Sequence, residues 1–119
     1  MQKEAFNQLM RSRTKVMALA VIQLYSEAPK SDEFRIVGKQ LVRSATSVAA
    51  NYRAACRARP AKEFFAKISI VVEEADKTLF WLELLEESKM ITPQKPKHIQ
   101  QESLEILKIA SVTRKNTKV

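Results

Sequence analysis

A single glycine, Gly38, serves a chain of 119 residues. Tight β-hairpin turns draw on glycine for backbone conformations that other residues resist, so an all-β fold has almost no material here for its turns. Four prolines, Pro29, Pro60, Pro93 and Pro96, cut the chain into long stretches rich in Ala, Leu, Glu, Lys, Arg and Gln. These are good helix formers, and proline ends or begins helices rather than continuing them. The expectation is an all-α protein of one domain spanning residues 1–119, long enough to bury a core without disulfides or metal.

The apolar spacing supplies the helices. In the first stretch, Phe6, Leu9, Val16, Leu19 or Ala20, and Ile22 or Gln23 recur at intervals near three and four, which predicts a helix over 3–27 with these residues on its core face. Pro29 to Asp32 read as a turn, with Ser31 or Asp32 capping a second helix over 32–57. That helix carries Phe34, Val37, Leu41, Ser44 or Ala45, Val48 and Tyr52 at the same rhythm. Its middle is lined with small residues, Ser44, Ala45, Ser47, Ala49, Ala50, Ala54 and Ala55, which let helix backbones approach closely within the bundle or between subunits. Gly38 reads as part of that packing.

Pro60 suits the first turn of a third helix, predicted over 61–89. Two adjoining apolar lines run along it: Phe65, Ile68, Val72, Ala75, Leu79 and Leu82, and Phe64, Val71, Thr78 and Leu85. The wide face predicts a helix with several neighbours, and the extra Ile70, Phe80, Trp81 and Leu84 point to oligomerisation. Thr92 is the expected cap of a fourth helix over 97–112, carrying Ile99, Leu104, Leu107 and Ala110 or Ser111, with 113–119 a frayed tail. Short connections give an up-down-up-down bundle.

Charge is sorted along the chain, whose net charge is +8. From Lys30 to Lys62, eight basic residues face two acidic ones, a balance of +6; from Glu63 to Ser88, seven acidic face two basic, a balance of −5. Arg53, Arg57, Arg59 and Lys62 cluster where the second helix ends and the third begins. Cations are favoured at a helix C-terminus on electrostatic grounds alone. The same residues, with Arg43 upstream and the free amides at the third helix's start, also make a candidate phosphate-binding patch for RNA or DNA. Lys95, Lys97, Lys108, Arg114, Lys115 and Lys118 form a second basic region read as solvating. Glu63 with Lys67 and Glu73 with Lys77 are expected ion pairs at i,i+4.

No catalytic site is legible. One glycine cannot build a phosphate loop, and the lone His98 and lone Cys56 form neither a nucleophile–base unit nor a zinc cluster. Cys56 reads as a small packing residue among alanines and His98 as solvent-facing. Glu73, Glu74 and Asp76 lack the Glu-x-x-His partners of a di-iron bundle. The reading is a non-enzyme without metal or cofactor. No apolar run approaches the roughly 20 residues of a membrane span, and Met1 to Arg13 lacks a signal peptide's apolar stretch, so a cytoplasmic location is expected.

The stretch from Gln40 to Ile91 resembles a bacterial four-helix-bundle family named for proteins encoded in intervening sequences of 23S ribosomal RNA genes. The shared pattern is a basic residue (Arg43), small residues (Ser44 to Ala50) leading to Asn51, a basic turn (Arg57 to Lys62), Glu63-Phe64, and then Glu74, Leu79 and Leu82. Many members follow the Asn with Ala-Glu-Gly, whereas this chain has Tyr52, Arg53, Ala54, Ala55 and Cys56, which lets the second helix run longer. The resemblance implies a left-handed bundle assembling as a ring, typically a homopentamer. It also implies kinship with accessory proteins of diversity-generating retroelements, which bind a reverse transcriptase and nucleic acid through a basic surface. A protein-interaction scaffold without nucleic acid is the alternative.

Overall fold

The computed structural model describes residues 2–119. It contains four helices, α1 (Lys3–Glu27), α2 (Asp32–Arg57), α3 (Ala61–Glu87) and α4 (Gln94–Asn116), and no strand among the described residues. A helix of 27 residues rises about 40 Å, close to the 44 Å long axis of the molecule. The helices, 23 to 27 residues long, therefore each run most of the bundle's length. Backbones lie close between α1 and α2, α2 and α3, α3 and α4, and α4 and α1, while the diagonal pairs make no close backbone approach among the described residues. The all-α, up-down-up-down four-helix arrangement is thus the observed one.

The helix ends follow local chemistry. Ser31 caps α2 by accepting a hydrogen bond from the Phe34 amide at 3.0 Å. α3 ends two residues earlier than the spacing predicts because Lys89 takes a left-handed conformation, φ 63°. The Met90 amide then bonds back to the Leu85 carbonyl at 3.0 Å, closing the last turn. α4 is longer than expected at both ends. It starts at Gln94, its N-cap is Pro93 rather than Thr92, and Pro96 sits buried within its first turn. The first-turn amides have no helical partner, so a proline there forfeits no hydrogen bond. At the other end the helix continues to Asn116, through residues expected to fray. Arg114 docks on α3, its Nε donating to Ser69 Oγ at 2.8 Å and its guanidinium lying 4.8 Å from the Phe65 ring centroid.

The core draws on all four helices, with Phe34, Leu41, Val48, Ile68, Val71, Leu82, Leu85 and Ile106 among its most buried residues. In α3 both apolar lines contribute, through Ile68, Ala75 and Leu82 from one and Val71, Thr78 and Leu85 from the other. The face of α1 differs from expectation. Met10, Thr14, Met17, Ala18, Val21 and Leu24 are buried, while Leu9, Val16, Leu19 and Ile22 are exposed. α1 is apolar on two sides, so spacing alone does not select the side that packs. Leu104 of α4 is likewise exposed, and Ser103 and Ile106 take the core positions beside it.

Gly38 is buried, and a Cβ there would lie 2.7 Å from the Tyr25 ring and 3.2 Å from Phe34. The glycine lets Tyr25 of α1 lie flat against α2, where it stacks on Phe34 with centroids 5.4 Å apart. Lys30 Nζ caps this pair at 4.9 Å from the Tyr25 centroid and donates to the Ala28 carbonyl at 2.6 Å.

A candidate nucleic-acid interface between the first two helices

A groove of about 760 Å³ lies between α1 and α2 on their outer side. Arg11 and Lys15 enter it from α1, and Arg53 and Arg57 from α2. Each pair is four residues apart, so each places two cations one above the other on one helix face. The small side chains of Ala49 and Ala50 also line the groove, and no carboxylate among the described residues does. Arg11 is bonded to Glu4, outside the lining, at 3.1 Å, and this bond raises its pKa. Lys15, Arg53 and Arg57 form no ion pair among the described residues.

The basic patch expected from sequence is therefore divided. Arg53 and Arg57 share the groove, but Arg59 does not join them. It lies past the end of α2 and lines a second groove, of about 500 Å³, at the end of the bundle. Lys62 is exposed in the first turn of α3, outside both grooves. The turn at Ala58 to Pro60, extended at Ala58 and Pro60, carries the chain across the bundle end and parts these cations from Arg57. Arg43 is exposed on α2, ten residues before Arg53, or about 15 Å along the helix. Successive heptad positions Arg43, Ala50 and Arg57 keep it on the same outward face as the groove.

Sequence reasoning missed Arg11 and Lys15. Their i,i+4 spacing was a legible signal, but nothing local shows that α1 sets this face beside Arg53 and Arg57. Arg114, assigned to a solvating region, is instead held by Ser69 and Phe65. The expected Glu73–Lys77 and Glu63–Lys67 pairs do not form; Lys77 pairs with Glu74 at 3.2 Å. Cys56 is half-buried at the groove beside Arg11, and His98 is exposed. No group of three or more His, Cys, Asp or Glu side chains among the described residues could hold a metal ion. No described helix is long and apolar enough to cross a membrane.

The strongest ion pair lies elsewhere. Arg13 of α1 grips Glu102 of α4 with two bonds, Nε–Oε2 at 3.0 Å and Nη2–Oε1 at 2.7 Å, and reaches Glu105 at 2.9 Å. Hydrogen bonding to Arg13 lowers the Glu102 pKa against the opposing effect of burial, and the guanidinium is raised in return. Arg13 is thus occupied in joining helices, not free for a ligand.

The fold has a solved counterpart. A crystal structure of a protein of unknown function from the S23 ribosomal protein family of Bacteroides thetaiotaomicron VPI-5482 matches with a TM-score of 0.82 and 30% identity, covering 92% of this chain and 98% of that one. No curated protein matches. The family model described as 23S rRNA-intervening sequence protein matches residues 7–111. With that match spanning all four helices, the chain belongs to the 23S rRNA-intervening sequence protein family.

Proposed function

We propose that this protein is a non-enzymatic, oligomeric helical bundle that binds the phosphate backbone of nucleic acid, RNA foremost, in the groove between α1 and α2. The observation that carries the reading is the convergence on one groove of Lys15, Arg53 and Arg57, none of them in an ion pair, and of Arg11, whose partner is the exposed Glu4, with no lining carboxylate among the described residues. Such a row of cations neutralises successive phosphates and releases their counterions. The family's name and the protein's net charge of +8 favour the same class of partner. The role that fits is an accessory one, serving a nucleic-acid enzyme such as a reverse transcriptase.

The test is fluorescence anisotropy with a labelled single-stranded RNA across a salt series. Affinity should fall with a log–log slope of roughly −0.7 per phosphate neutralised. Replacing both Arg53 and Arg57 with Ala should weaken binding and flatten that slope. Absence of binding at low salt, or a slope untouched by the double substitution, overturns the proposal.

A second reading is favoured by the outward face of α1, where Leu9 is 42% and Val16 60% exposed, with Leu19 and Ile22 beside them. An apolar stripe opposite a helix's packed side suits a contact with another protein, first of all a second copy of the chain. It supports a homo-oligomer, with the homopentamer typical of the family as the proposed form, and it is also the basis for a scaffold that binds no nucleic acid. Size-exclusion chromatography with light scattering reads the assembly. The ratio of absorbance at 260 and 280 nm of the purified protein separates scaffold from nucleic-acid carrier.

A further inference from the structure

The second groove, about 500 Å³ at the end of the bundle, differs from the first in chemistry. It is open to Phe6 of α1 and Phe64 of α3, both half-buried, so each ring packs on the core with one side and faces the groove with the rest. Arg59 and Lys3 bring positive charge, and no carboxylate among the described residues lines it. Asn116 sits at the rim with a side chain that makes no hydrogen bond among the described residues, whereas the Thr113 and Thr117 hydroxyls are already committed to backbone carbonyls at 2.9 and 2.7 Å. The groove thus offers aromatic surface, guanidinium and a free amide together. An unpaired nucleobase asks for that set: a ring to stack on, a planar cation, and an amide able both to donate and to accept at the base edge.

The two grooves flank the same stretch of chain. Arg57 lines the first and Ala58 and Arg59 the second; on α1, Gln8 lines the first and Asn7 the second. A single strand whose phosphates follow Arg11, Lys15, Arg53 and Arg57 therefore arrives beside Phe6 and Phe64. Resting on the phosphate-binding reading above, we infer that the end groove stacks a base of single-stranded RNA, which makes the protein selective for unpaired over duplex nucleic acid.

The experiment compares three ligands of one length by anisotropy at fixed salt: a single-stranded RNA, the same strand with abasic positions, and the duplex. Stacking contributes enough per base that the intact strand should bind about tenfold more tightly than the abasic one, and more tightly than the duplex. Phe64→Leu and Phe6→Leu, which keep apolar bulk in the core but remove the ring face, should erase the difference between intact and abasic strands. Arg53→Ala should weaken both strands alike. Equal binding of intact and abasic strands, or duplex binding as tight as single strand, overturns this inference and leaves the phosphate groove standing. Failure of every strand to bind overturns the phosphate reading, and this one with it.

Discussion

The seam between α2 and α3 and the seam between α4 and α1 close the same bundle by opposite means. The first is the most extensive contact in the molecule and the second the least. Along α2 and α3 the meeting surfaces are apolar and small, with one buried polar contact: Thr78 Oγ1 donates to Ser44 Oγ at 3.0 Å, and Ser44 donates to the Leu41 carbonyl at 3.0 Å. Between α1 and α4, which also share the apolar core, the polar tie is the fork of Arg13 on Glu102, with Ser103 donating to the Met17 sulfur at 3.1 Å. Burial of apolar surface neither titrates nor is screened by salt, whereas an ion pair titrates and is screened. The bundle accordingly has a permanent side and a conditional one.

The largest expected effect lies on the permanent side. Leu41, 1% exposed, is one turn from the Ser44–Thr78 contact, and Leu41→Ala should cost about 3 kcal/mol by loss of transfer energy plus a cavity. Urea titration should show that loss unchanged between neutral and mildly acidic pH; a strongly pH-dependent loss would break the contrast between the seams.

Next comes the conditional side. Arg13 and Glu102 are about three-quarters buried, and Arg13→Ala should cost about 1–2 kcal/mol, the range for charge-assisted bonds that keep some solvent. Glu102 has a lowered pKa in the folded state. Its contribution is therefore fully present above the unfolded carboxylate value of about 4.3, and is lost as pH falls through the lower folded value. The stability gap between wild type and Glu102→Gln should hold from neutral pH to about 5 and shrink below 4. A gap that widens in acid would contradict the assignment.

Native-state hydrogen exchange compares the seams without substitution. Amides of α1 and α4 should open at lower free energy than those of α2 and α3, because local opening follows the weakest packing. Uniform protection across the four helices would mean that the bundle opens only as a whole. The smallest expected effect is at Lys89, whose left-handed backbone disfavours a side chain. Lys89→Gly should add about 1 kcal/mol while leaving the difference between the seams unchanged, as read by thermal melts of the single and Arg13→Ala double variants.

Much of the fold is legible in the chain. The prolines and Ser31 mark the breaks, and the rhythm of α2 identifies Phe34, Leu41, Val48 and Tyr52, all of which are buried. These are local matters, decided by propensity, capping and the period of the helix. The candidate site is half legible. Arg53 and Arg57 stand out as a basic pair at a helix end, but their partners Arg11 and Lys15 lie more than 35 residues away in the chain.

Composition and period thus prescribe four helices, their approximate ends and the separation of a basic segment from an acidic one, because each rests on neighbours a few residues apart. Packing settles what those neighbours leave open. It turns Met10, Thr14, Met17, Val21 and Leu24 of α1 inward in place of Leu9, Val16 and Leu19, sets Arg11 and Lys15 opposite Arg53 and Arg57, and sends Arg59 around the bundle end to a different groove. A helix with apolar residues on two sides has no phase of its own; its rotation is chosen by the neighbours it meets, and with the rotation comes the set of charges that share a surface.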